Sequence, residues 1–239
     1  MKQENYIRGM IMIILSAFFF ACMNVSVRLA GDLPSVQKSF FRNLVAAFFA
    51  AIILIKNHTA PKVEKTQWGS LFLRCAFGTL GILCNFYAID HLLVADASIL
   101  NKLSPFFAII FSFLLLKEKV KPAQAMCVIL AFVGCLFVVK PGFENAHLIP
   151  ALIGVCGGLG AGIAYTMVRK MGTHGVKGPV IVFYFSCFSC IIVIPWIVFH
   201  YQPMSLRQLL TLFLAGLFAA GGQFTITAAY TYAPAGKIS

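Results

Sequence analysis

The feature that most limits how this chain can fold is a series of apolar stretches, each about as long as a membrane is thick. A helix needs about 20 apolar residues to cross the hydrocarbon core of a bilayer. Eight segments of the 239-residue sequence approach or exceed that length: 9–27, 34–55, 68–89, 95–116, 122–139, 149–168, 179–199 and 206–230. Only 11% of the residues are charged, against about 25% in a soluble domain. The sequence therefore predicts an all-α, polytopic membrane helix bundle.

The basic residues between these segments predict the orientation. With the N-terminus inside, the inner connections hold twelve of the 19 lysines and arginines, and the outer ones hold Arg28, Lys38, Lys140 and Arg207. Cytoplasmic loops of membrane proteins carry such an excess of positive charge. We therefore expect a multi-pass protein of the cytoplasmic membrane with its N-terminus in the cytoplasm. The net charge of +12 then reflects contact with the lipid bilayer, and we expect no nucleic-acid partner.

An internal repeat divides the chain. The stretch GMIMIILSAFFFACMNVSVRLAG, from Gly9, is similar to ALIGVCGGLGAGIAYTMVRKMG, from Ala151, and both contain a Val-Arg pair near their ends. The stretches CNFYAIDHLLVADASIL and GQFTITAAYTYAPAGKIS match in the same order, about 140 residues apart. An offset of five spans, an odd number, places the second copy upside down, as in secondary transporters whose substrate site lies between the halves. We predict two inverted repeats, in residues 1–140 and 149–239.

Three stretches carry a resemblance to a known family. They are FFRNLVAAFF at 40–49, RCAFGTLGILCNFYAIDHLLVADASILNKLSPFFAIIFSFLLLKEK at 74–119, and YAPAGKIS at 232–239. They resemble the EamA-type carriers of the drug/metabolite transporter superfamily, and the resemblance covers essentially the whole chain. It implies a metabolite carrier with ten helices in two inverted five-helix repeats. About eight of those spans are present, and residues 233–239 match 94–100, so we expect them to begin a ninth helix of a truncated carrier.

Three basic residues fall inside predicted spans: Arg42, Arg74 and Lys102. A cation near the bilayer centre costs about 3 kcal/mol on insertion scales, so it usually faces a cavity or a partner. The seven carboxylates lie in connections or at span ends, which makes a substrate anion a candidate partner. The planar guanidinium group suits carboxylate or phosphate. The alternative, in which the long side chains extend to the membrane interface, stays open for all three residues.

Neutral polar residues inside the spans complete the predicted substrate-binding site. They are Asn24, Asn85, Asn101, Tyr87, Tyr165 and Gln223. Asn85 and Gln223 occupy matching positions of the repeat, and Asn24 lies near the position that matches Tyr165. Each of these side chains is equally suited to joining two helices by a hydrogen bond.

Two features of the backbone bear on movement. Gly154, Gly158 and Gly162 recur at four-residue spacing and form a smooth strip on one helix face. A sliding contact and static close packing are the alternatives for such a strip. Pro105 lies inside the fourth span and predicts a bend next to Lys102.

These observations favour a secondary transporter that moves small metabolites, organic anions foremost, by alternating access. We expect no cofactor, no metal and no catalysed reaction. The first span contains no acid, so the proton exchange of small multidrug exporters is not supported. A membrane enzyme is disfavoured because no nucleophile–base set, metal-ligand cluster or phosphate loop is evident. An exporter of amino acids or other hydrophobic small molecules, a non-transporting fragment or scaffold, and a homodimer are left open.

Overall fold

The structure, a computed structural model, describes residues 2–118, 121–139 and 148–233. The regular structure of this part consists of helices joined by short connections, which follows from the need of a backbone in lipid to satisfy its own hydrogen bonds. The α-helices are α1 (Lys2–Leu29), α2 (Ser35–Lys56), α3 (Trp68–His91), α4 (Val94–Asn101), α5 (Ser104–Leu116), α6 (Pro122–Val139), α7 (Leu148–Thr173), α8 (Gly178–His200) and α9 (Leu206–Tyr232).

The predicted fold class, an all-α polytopic bundle, is confirmed. Within the described residues, seven helical segments are long and apolar enough to cross a membrane, with α4 and α5 counted together as Val94–Leu116. The predicted fifth span is α6, whose described residues include a shorter apolar helix, Ala125–Gly134. Of the predicted start of a ninth helix, residues 233–239, the structure describes Ala233 as the C-cap of α9, and residues 234–239 lie outside the described part.

Local sequence explains where several helices begin and end. Ser205 caps α9, because its Oγ accepts a hydrogen bond from the Gln208 backbone while the Gln208 side chain accepts one from the Ser205 backbone. Between α1 and α2, Gly31 adopts a φ of +73°, which only glycine takes without strain. Gln208 Nε2 also donates to the Ala30 carbonyl at 3.2 Å. The start of α9 therefore lies at the same end of the bundle as the end of α1.

The fourth span is broken, as the prediction of a bend at Pro105 anticipated. Helix α4 ends at Asn101 and α5 begins at Ser104, with Pro105 in its first turn. Proline has no N–H to donate and favours the first turn of a helix. At the break the Leu103 backbone donates to the Leu100 carbonyl, which tightens the turn. The regular α-helical hydrogen bonding of the span is therefore interrupted beside Lys102.

Helices distant in the sequence form the main contacts. The two most extensive helix contacts are those of α1 with α9 and of α3 with α7, and α2 packs on α8. Ser16 Oγ donates to the Gly222 carbonyl across the first pair. Between α3 and α7 the backbones approach so closely that a Cβ added at Gly81 would lie 3.1 Å from the Gly157 carbonyl oxygen. In the predicted repeat, α1 corresponds to α7 and α3 corresponds to α9, so the two most extensive contacts are equivalent to each other. The repeat boundaries themselves stay a prediction.

The glycine strip of α7 contacts α4 and α5. A Cβ added at Gly158 would lie 2.9 Å from the Leu100 carbonyl oxygen, and one at Gly162 would overlap Phe107 Cβ. Gly154 lies against the side chain of Leu100 in the same way. In this conformation the strip therefore provides close packing around the broken fourth span.

Candidate functional site

A narrow cavity with both polar and apolar walls lies between the α1–α9 pair and the α3–α7 pair. Its volume is about 40 Å³, which accommodates a few water molecules. The wall includes Phe20 and Met23 from α1, and Phe185 from α8. Six of the nine predicted site residues also line it: Arg42, Arg74, Asn85, Asn101, Tyr165 and Gln223. The tertiary structure therefore brings together residues from both predicted repeats.

Arg74 is held in the cavity wall by contacts from α8 and α9. Its side chain is only 2% exposed. Nη2 donates to Gln223 Oε1 at 2.8 Å, and the guanidinium carbon lies 4.0 Å from the centre of the Phe185 ring. Gly78 makes room for this arrangement, because a Cβ there would overlap Arg74 Nη1 and lie 2.8 Å from Phe185 Cε2. The position of this cation is therefore set by three neighbours.

Arg42 enters the same cavity from α2 with fewer partners. It is 1% exposed, and its Nη1 donates to Asn43 Oδ1 at 2.5 Å. Among the described residues, Arg42 Nε and Arg74 Nε have no hydrogen-bond partner. No carboxylate appears in the described lining of the cavity. Two buried positive charges are thus offset here by neutral groups alone, and both side chains stay in the cavity wall.

Neutral polar groups join the helices around the cavity. Asn24 Nδ2 donates to Ser98 Oγ at 3.1 Å, and Asn85 Nδ2 lies 3.5 Å from Asn24 Oδ1. Asn85 Oδ1 has no partner within the described part. Tyr165 stacks on Tyr230, with ring centres 5.1 Å apart. Asn24 therefore acts as a bridge behind Asn85, while Asn85 itself faces the cavity with an unused acceptor.

Two predicted site residues lie elsewhere. Lys102 is exposed at the break between α4 and α5, and the described cavity wall does not include it. Lys102 keeps helical backbone angles and its N–H donates to the Ser98 carbonyl four residues earlier, so its side chain lies on a part of the helix surface that does not face the cavity. Tyr87 stacks on His91 with ring centres 4.0 Å apart. It lines a separate recess of about 630 Å³ near Arg28.

A charged cluster lies at the end of the bundle where α1 and α3 end; we call it the first-end cluster (Arg28, Ser35, Lys38 and Asp90). Lys38 Nζ is 2.5 Å from Asp90 Oδ1, and Ser35 Oγ donates to Asp90 Oδ2 at 2.6 Å. Arg28 Nη1 donates to the carbonyls of Ile89 at 2.8 Å and Asp90 at 2.9 Å. The cluster therefore joins α1 and α2 to the end of α3.

A second charged cluster lies at the opposite end, where α7 and α9 end; we call it the second-end cluster (Glu118 and Arg169). Arg169 Nε is 3.2 Å from Glu118 Oε1. Arg169 Nη1 donates to the carbonyls of Tyr230 at 3.4 Å and Thr231 at 3.1 Å. This cluster therefore joins α7 to the end of α9 and to the residues that follow α5.

Sequence reasoning missed the ion pair between Lys38 and Asp90. It counted Lys38 among the outer connections, whereas the residue belongs to α2 and its side chain is 1% exposed. A buried lysine needs a partner. The predicted topology could have indicated this ion pair, because it places the start of the second span, with Lys38, and the end of the third, with Asp90, at the same side of the membrane.

Comparisons with known proteins show similarity to membrane transporters. A sequence profile of the EamA-like transporter family matches residues 7–140. The pseudopaline exporter CntI of Pseudomonas aeruginosa (strain UCBPP-PA14) is 31% identical over 229 residues, which are 94% of this chain and 78% of that protein. The riboflavin transporter of Brucella anthropi is 26% identical, over 90% of this chain and 78% of that protein.

Similarity also extends to a human protein and to a solved structure. Solute carrier family 35 member G1 of Homo sapiens is 26% identical, over 97% of this chain and 67% of that protein. One crystal structure superposes with a TM-score of 0.71 over 93% of this chain and 79% of its own, at 13% identity. At that identity the superposition supports the fold alone.

Proposed function

The chain belongs to the EamA-like transporter family, and from that premise we propose that it carries small organic anions across the cytoplasmic membrane by alternating access. It is a multi-pass membrane transporter of a small-molecule substrate. Relatives of similar identity are named for different solutes, pseudopaline and riboflavin. Membership therefore leaves the substrate open, and the proposal about anions depends on the chemistry of the cavity.

The observation that carries the proposal is the pair Arg42 and Arg74 in one cavity whose described lining contains no carboxylate. Burying an ion costs several kcal/mol unless a counter-charge or hydrogen bonds compensate it. A bound anion supplies both, because it brings a negative charge and hydrogen-bond acceptors to the two guanidinium groups that line the cavity. An anionic substrate therefore stabilises the site, whereas a cation meets two like charges.

Passage requires a wider cavity than this conformation offers. About 40 Å³ is too small for an organic metabolite, so binding needs the α1–α9 and α3–α7 pairs to separate on one side. We place the N-terminus in the cytoplasm, because inner connections then hold most of the lysines and arginines. The reaction is movement alone, without a covalent step.

Flux measurements on purified protein in liposomes test the proposal. Initial uptake and exchange are measured for a panel of radiolabelled carboxylates and phosphate esters, with neutral and cationic solutes of similar size alongside. We expect flux of one or more anions and none of the cations. Arg42→Gln should lower anion transport about tenfold or more, since a hydrogen bond to a charged group is worth about 1.5–3 kcal/mol.

Arg207→Gln is the matched control, because it removes an exposed arginine far from the cavity lining. Its kinetics should stay at the level of the unmodified protein. Flux of neutral or cationic solutes that is insensitive to Arg42→Gln would contradict the proposal. Melting curves in detergent verify that each variant is folded.

A further inference from the structure

We infer that Arg28 and Arg169 hold the two ends of the transport pathway closed, and that transport opens the first-end and second-end clusters alternately. Both are positioning residues, which join helices to one another and contact no substrate. The inference rests on the alternating access proposed above. It goes further, because it names the contacts that break at each end.

Each of the two arginines connects helices that belong to different pairs. Arg28 lies on α1 and binds the end of α3, while Arg169 lies on α7 and binds the end of α9. Helix α1 packs mainly on α9, and α3 mainly on α7. Each arginine therefore fastens one helix pair to the other. Direct contact between the pairs, of α1 with α3 and of α7 with α9, is far less extensive than contact within them.

The two arginines lie at opposite ends of the bundle. Arg28 is near the end of α1 and Arg169 is near the end of α7, and these helices run in opposite directions between the two ends of the bundle. The cavity with Arg42 and Arg74 lies between the same two pairs. Releasing one fastening while the other holds tilts the pairs apart on one side only. That is the geometry which alternating access requires.

The contacts of the two arginines are equivalent in detail. Each uses Nη1 to bind two consecutive carbonyls near the end of its partner helix, Ile89 and Asp90 for Arg28, and Tyr230 and Thr231 for Arg169. The donors and their acceptors are displaced along the chain by the same number of residues. A cation at the C-terminal carbonyls of a helix is favourable because these groups have no partner within the helix. The repeated Val-Arg pair thus has one structural role at both ends.

The two clusters differ in how firmly they hold. At the first end Lys38 and Asp90 are 1% and 19% exposed, whereas Arg169 and Glu118 at the second end are 15% and 25% exposed. Ion pairs weaken as solvent reaches them. The Lys38–Asp90 ion pair joins α2 to α3, however, whereas Arg28, which joins the two helix pairs at the first end, is exposed. Loss of Arg169, which is more buried, should therefore change the conformational equilibrium more than loss of Arg28.

Labelling of a cysteine in the cavity tests the inference. Ile82→Cys places a thiol in the lining, and the parent protein corrects for the native cysteines. A membrane-impermeant maleimide is applied to right-side-out and inside-out vesicles. Arg28→Gln removes the hydrogen bonds that join α1 to the end of α3, and it should raise the labelling rate about threefold from the first-end side alone. Arg169→Gln removes the hydrogen bonds that join α7 to the end of α9, and it should raise the rate about tenfold from the second-end side alone.

Two exposed charges supply matched controls. Arg207→Gln near the first end and Lys62→Gln in the connection after α2 should leave both rates unchanged. Where a glutamine variant is not folded, Arg28→Lys and Arg169→Lys keep the charge but lose the guanidinium, and they should show the same contrast between the two sides with smaller increases in rate. Increases from the same side for both variants, or no increase for either, would overturn the inference. The labelling experiment needs no substrate. A negative labelling result would therefore contradict the opening of the two ends without bearing on whether the protein carries anions.

Discussion

The substitution Gly78→Ala offers a sharp test of the cavity, because it acts on Arg74 without changing any charge. The added Cβ would overlap Arg74 Nη1 and lie 2.8 Å from Phe185 Cε2. The guanidinium is the flexible end of a long side chain, so we expect it to move and to leave its hydrogen bond with Gln223. The helix α3 itself should persist.

The magnitude follows from the contacts that are lost. A hydrogen bond to a charged group is worth about 1.5–3 kcal/mol, and alanine recovers up to about 1 kcal/mol over glycine in a helix. We therefore expect a net loss of about 1–2 kcal/mol in stability. Transport efficiency should fall about tenfold to a hundredfold if Arg74 also loses its contact with the anion.

Initial rates of anion uptake in liposomes measure the effect, with Gly69→Ala as the control. Gly69 lies in the same helix, and an added Cβ there meets nothing within 4 Å. The double variant of Gly78→Ala with Arg74→Gln should transport no worse than Arg74→Gln alone. Both substitutions remove the same contact, that of the Arg74 guanidinium with the anion. Unchanged kinetics for Gly78→Ala, or additive losses in the double variant, would refute the reasoning.

Three further results are expected. Organic dianions should compete with a labelled substrate better than monoanions of equal size, because two guanidinium groups line the cavity; inhibition constants measure this. Gln223→Leu should lower anion flux about tenfold, since Arg74 loses the acceptor that holds it; initial rates measure this. Gly162→Ala should destabilise the protein by about 1–3 kcal/mol, because its Cβ would overlap Phe107 Cβ, while Gly134→Ala meets nothing within 4 Å and should be neutral in melting curves.

The sequence predicted the helices well because length and hydropathy alone determine which segments can cross a bilayer. The predicted second span, 34–55, differs from Ser35–Lys56 by one residue at each end, and 122–139 has the limits of α6. The fourth span was the exception. Its composition is apolar throughout, and only Pro105 indicated that the helix breaks into α4 and α5.

The site was harder to predict, because the direction in which a side chain faces depends on how the helices pack. Arg42 and Arg74 were singled out for the cost of burying a charge, and they do share a cavity. Lys102 carried the same cost, but its side chain lies on an exposed part of the helix surface. Lys38 was missed because a count of loop charges contains no information about depth. Its pairing with Asp90 appears only when α2 and α3 are placed side by side.

The pairing of α1 with α9 also has a consequence for biosynthesis. Ser16 and Gly222, which form a hydrogen bond across this pair, are separated by 206 residues. At a translation rate of about 5–20 residues per second, the first helix waits roughly 10–40 s in the membrane before its partner is made. During that time Ser16 and the phenylalanines that pack on Gly221 and Gly222, Phe19 and Phe20, are open to lipid or to the insertion machinery. The surroundings of the first helix are therefore completed only after α2 to α8 have been made.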